Sequence, residues 1–125
     1  MKTSVNAVHH QSNDWIKELQ FYFDELLLLQ NRLGEVAAKN TGQETMAMIE
    51  HFQNKFIMLK EQADILKHDV NANNNVALEM AALKPTHINE KYVTETNDLH
   101  LRITQYAKGF ADTRFELNQF LRKVM

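Results

Sequence analysis

Apolar residues recur along this chain at alternating intervals of four and three, in three long stretches. The first runs Trp15, Leu19, Tyr22, Leu26, Leu29, Leu33, Val36, and the second Ile49, Phe52, Phe56, Leu59, Ala63, Leu66, Val70. The third passes from Tyr92 through Thr96, Leu99, Ile103, Tyr106, Phe110, Thr113, Leu117 and Phe120 to Val124. A repeat averaging about 3.5 residues keeps one stripe facing a partner helix over several turns, as in coiled coils. No acidic residue or histidine falls on any of the three seams. The pattern predicts an all-α fold, an up-down-up antiparallel bundle of three long heptad-patterned helices, forming a single domain over residues 1–125.

Local signals set the expected boundaries. Residues 1–11 lie ahead of the first seam and are expected to be disordered, with the first helix starting near Ser12 to Asp14, whose short polar side chains suit a cap. That helix should end near Lys39. Thr41 followed by Glu44 forms a capping box for the second helix, and a link this short requires an antiparallel hairpin. Asparagine competes with the helical backbone for hydrogen bonds, so the cluster Asn71, Asn73, Asn74, Asn75 is expected to end the second helix. A short extra helix around 76–83, before Pro85, is the expected sequel. From Thr86 as cap, a third helix from about His87 to Lys123 would be the longest, at roughly 55 Å for a rise of about 1.5 Å per residue.

Off the seams, a second set of apolar positions changes the picture. With Leu19 and Ile49 as heptad a positions, Phe21, Leu28, Met58 and Ile65 all fall at c, joined by His51, while Leu27 and Ile57 fall at b. In an antiparallel hairpin the four c residues share one side and one height, so they can form a patch. The opposite side carries Ile16, Phe23, Ala37 and Met46 at e. A third helix covers one side, and the spare one marks an interaction site. The candidate interface is therefore Phe21, Leu27, Leu28, His51, Ile57, Met58 and Ile65. The competing account makes these residues ordinary core beside the third helix, since wide apolar stripes are common in globular helices. Leu101 and Phe115, at f on the third helix, add apolar surface outside its seam.

Composition removes alternatives. Fourteen basic against sixteen acidic side chains, in 125 residues, give a formal charge of −2 and no basic footprint for nucleic acid. The absence of cysteine excludes disulfides, thiolate catalysis and cysteine-ligated metals. The longest apolar runs, such as Leu26 to Leu29, fall far short of the roughly 20 residues of a membrane span. With no secretory leader in the opening residues, the expected location is the cytoplasm.

Six histidines raise the question of metal, but none has a glutamate three residues before it, and His-x-x-x-His is absent. Asp64 and His68 have helical i, i+4 spacing, yet a solvated face explains them. His9 and His10 are adjacent in the expected disordered terminus. His100 lies at e beside the third seam, suited to cover a core edge. The methionines suit packing rather than haem ligation. No phosphate loop or nucleophile motif is present, so no catalytic residue, metal or cofactor is expected. The expected activity is protein–protein contact, with a homodimer as the first candidate. A small adaptor or chaperone for a helical partner is the alternative, and a metal or ligand carrier a further one.

Overall fold

The computed structural model describes residues 5–39, 42–82 and 90–124. Three helices account for nearly all of them: α1 (Val5–Lys39), α2 (Gln43–Ala82) and α3 (Glu90–Val124). They form an all-α bundle, with no strand among the described residues. The α1 and α2 helices make the antiparallel hairpin, and α3 packs mainly on α2 and less on α1. At the hairpin the amide of Met46 donates to the carbonyl of Gly42 at 2.9 Å, which closes the first turn of α2. Thr41, Pro85, Thr86 and His87 lie outside the described residues.

The seams are the core. Every residue of the second seam is buried, as are all of the first except the half-buried Tyr22, and Leu19, Leu26, Phe56, Ala63, Val70 and Leu117 are fully enclosed. Aromatic rings fill the middle of the bundle. Tyr22 of α1 meets Phe110 and Tyr106 of α3 at 4.8 and 5.6 Å between centroids, and Phe52 of α2 meets Phe120 of α3 at 5.5 Å. The Tyr106 hydroxyl donates to the Leu59 carbonyl at 2.9 Å, tying α3 to α2 through the core. These pairings also show α1 and α3 running parallel, each antiparallel to α2.

Four boundary expectations are corrected. The α1 helix starts by Val5, so residues 5–11 are helical, and Ser12 is a buried seam residue one heptad ahead of Leu19 rather than a cap. The asparagine cluster does not stop α2. Asn73 continues the seam, and its Nδ2 donates to Thr96 Oγ1 at 3.0 Å, across to α3, instead of competing for its own backbone. No separate helix therefore forms around 76–83: that stretch, as far as Ala82, is the end of α2, where Ala77 and Met80 pack against Tyr92 and Val93 of α3. The longest helix is consequently α2, with 40 residues against 35 for α3.

Ser12, Asn73 and Thr96 stand at one height, given the register fixed by the Lys67–Gln20 and Trp15–His100 contacts. They make a polar layer across the seam. Thr96 Oγ1 in turn donates to the Tyr92 carbonyl at 2.9 Å, and Thr113 does the same to Gly109, so both seam threonines are satisfied within their own helix. The Oδ1 atom of Asn73 is buried and accepts no hydrogen bond from any described residue.

Candidate interaction surface

The heptad fixes where each off-seam side chain points, and α3 decides what covers it. Lys55 of α2 pairs with Glu116 of α3 at 3.5 Å, and Asp69 with Arg102 at 2.8 Å, all four at g positions. On the other side of α2, Lys60 and Lys67 lie over the ring of Phe23, with ammonium groups 5.7 and 5.6 Å from its centroid, and Lys67 donates to Gln20 of α1. The α3 helix therefore occupies the g and c side of the hairpin. Phe23, Leu27 and Ile57 are left on the open α1–α2 face.

This arrangement corrects the single patch. Leu28 lines a groove with Arg114 and Asn118 on one flank of α3, whereas Ile65 lines a groove with Gln105 and Gly109 on its other flank. The third helix thus separates Phe21 and Leu28 from Met58 and Ile65. It does not cover them: Phe21, Leu28, Met58 and Ile65 are all between 53% and 59% exposed. Leu27 and Ile57 are exposed as well, on the face away from α3. None of the six is core of the single chain.

What the structure brings together is a height rather than a side. The Lys60–Phe23, Lys55–Glu116 and Tyr106–Leu59 contacts place Leu27 and Leu28 of α1, Ile57 and Met58 of α2 and Phe115 of α3 around one level of the bundle. Phe21 and Ile65 stand together about two turns further along. Phe115, at 64%, is the most exposed large apolar residue described. The result is an apolar girdle around the waist, directly outside the aromatic core. His51 is exposed on the same row as Met58, with its ring edge-on to Phe52 at 5.2 Å.

The polar groups nearby are structural in geometry. Asp69 accepts from Arg102 and pairs with His68, and these hydrogen bonds hold its carboxyl below the ordinary value. His68 thereby turns to Asp69 and not to Asp64. Burial pushes the Tyr106 hydroxyl up to about 12, with Tyr22 and Asp64 adding to the effect. Burial, with the charge of Glu18, raises Tyr22 too. His100 packs against Trp15, with ring centroids 6.1 Å apart, and covers the edge of the core. Among the described residues no group of three or more histidines and carboxylates converges in a way that could hold a metal ion. No helix described is long and apolar enough to cross a membrane.

Sequence reasoning missed two kinds of residue here. Ser12, suited to a starting cap, and Asn73, in the cluster expected to end α2, each sit on the seam one three-residue interval beyond its end, before Trp15 and after Val70, which is the signal that finds them. Leu121 is buried beside the third seam and belongs to the core. Comparison with protein-family models, with curated proteins and with solved structures found no match.

Proposed function

We propose that this protein works by protein–protein contact, as a helical bundle that associates with a second copy of itself through its apolar waist. The observation that carries the reading is the girdle. Isolated exposed apolar side chains are ordinary on any protein, but here five of the twelve large ones described, Leu27, Leu28, Ile57, Met58 and Phe115, stand at one height, each between 42% and 64% exposed, outside a seam that is already filled. Transferring each such side chain out of water would contribute on the order of 1 kcal/mol or more at about 25 cal/mol per Å². Single-chain folding leaves that gain unrealised.

Gel filtration coupled to light scattering, over a range of concentrations, tests the reading. A species of twice the chain mass is expected. A monomer at every concentration would overturn it and point instead to an adaptor that meets a different helical partner.

A further inference from the structure

We propose that the two copies lie side by side and parallel, related by a twofold axis along the bundle, with α1 of each copy seated on α3 of the other. The inference rests on the self-association proposed above and adds the surface and the orientation.

Charge chooses the pairing. Between positions 14 and 35, α1 carries five carboxylates against two basic groups, whereas α3 at the same heights, apart from Arg102 and Glu116, which pair with α2, carries Lys108, Arg114 and Arg122 against Asp112. The face formed by α1 and α3 is thus acidic along one edge and basic along the other. A twofold axis across the helices would lay α1 on α1 and α3 on α3, acid on acid and base on base. An axis along the helices lays each α1 on an α3, and complementary potentials meet twice.

Register then follows without adjustment. Because α1 and α3 already run parallel at equal height within one chain, as the Tyr22–Tyr106 and Trp15–His100 contacts show, the same heights face each other across this axis. Leu28 comes onto Phe115 of the second copy, Glu35 onto its Arg122, and the ring of Phe21 onto its Lys108. Each is a favourable match of apolar with apolar, anion with cation, or ring with ammonium. Only the outermost pair, Asp14 with Leu101, is unmatched. Shape agrees at Phe21, since α3 offers the smaller Thr104, Ala107 and Ala111 around the level where that ring would seat.

The chain has no cysteine, so single cysteines report cleanly. Leu28→Cys and Phe115→Cys chains are mixed, allowed to exchange subunits and mildly oxidised. The expected result is rapid cross-linking between the two variants and none within either variant alone, because positions 28 of the two copies lie diagonally opposed. Cross-linking of Leu28→Cys to itself would overturn the parallel arrangement. A dimeric mass with no mixed cross-link would overturn this surface while leaving self-association intact, and a monomeric mass would remove both.

A charge exchange gives an independent reading. Glu35→Arg and Arg122→Glu each place two like-charge contacts in their own dimer and should weaken it roughly tenfold. Mixed together they should recover, since each face then meets its opposite. Contacts inside a chain are the same before and after mixing, so absence of recovery would count against the pairing and not against the fold.

Discussion

The middle of the bundle and the layer at Ser12, Asn73 and Thr96 are built from the same heptad positions by opposite chemistry. In the middle, Phe52, Phe56, Tyr106, Phe110 and Phe120 fill the seam with rings, and the one polar atom among them, the Tyr106 hydroxyl, is satisfied by the Leu59 carbonyl. In the polar layer an amide and two hydroxyls take the same positions, and the amide oxygen accepts from no described residue. The first arrangement gains stability from packing and area. The second gives some of that up, and what it supplies is selectivity: a helix shifted by one heptad toward the middle would put Asn73 among apolar side chains such as Leu19 and Ile103 and leave Thr96 without its amide, at a cost in unsatisfied hydrogen bonds.

Substitutions can break or sharpen that contrast, and the largest effect is expected in the middle. Phe56→Ala, at a fully enclosed site, should lower unfolding free energy by about 3–5 kcal/mol through lost transfer and a residual cavity, read from denaturant titration by circular dichroism. Asn73→Leu should move the other way, raising stability by about 1 kcal/mol as an unpaired buried oxygen is exchanged for apolar volume. A loss of stability would show that the layer contributes energy as well as alignment.

Tyr106→Phe should cost about 1 kcal/mol for the missing hydrogen bond and should also change the alkaline limb. The folded chain holds this hydroxyl at about 12 against an ordinary 10.0. Its contribution is therefore complete below pH 10 and lost as pH rises through the folded value, and the phenylalanine variant should lack that loss. The smallest effect belongs to the surface. Arg102→Met should cost less than about 1 kcal/mol, both partners being about one-third exposed. Because the Asp69 carboxyl is held below its ordinary value of 3.8, that contribution is present above this pH and lost as pH falls through the lowered one, so unfolding curves of the two proteins should converge in acid.

The same contrast explains what could be read from residues alone. Seam residues such as Leu19, Phe56 and Leu117 declared themselves because burial follows spacing, and spacing is visible in a sequence. The ends of the helices are not legible locally because Ser12 and the asparagines near Asn73 have preferences that favour caps and turns, which burial on the seam overrides at Ser12 and the bond to Thr96 overrides at Asn73. The exposure of Phe21, Leu28, Met58 and Ile65 was legible from their heptad position. Their separation by α3 was not, because both sides of the hairpin offer apolar e or g and c positions. The choice between them depends on g-position pairs such as Lys55 with Glu116, whose partners are more than 60 residues apart in sequence. The girdle likewise needs the heights of all three helices, which the lengths of the connections do not supply.

One measurement separates the two halves of this account, in which the seam makes the fold and the waist makes the contact. The double substitution Phe21→Asp with Leu28→Asp is compared with the unaltered chain by circular dichroism and by light scattering on the same gel-filtered sample. The account predicts unchanged helicity and half the mass. Lost helicity would make the waist part of the core, and an unchanged dimeric mass would place the contact elsewhere; either result would contradict it.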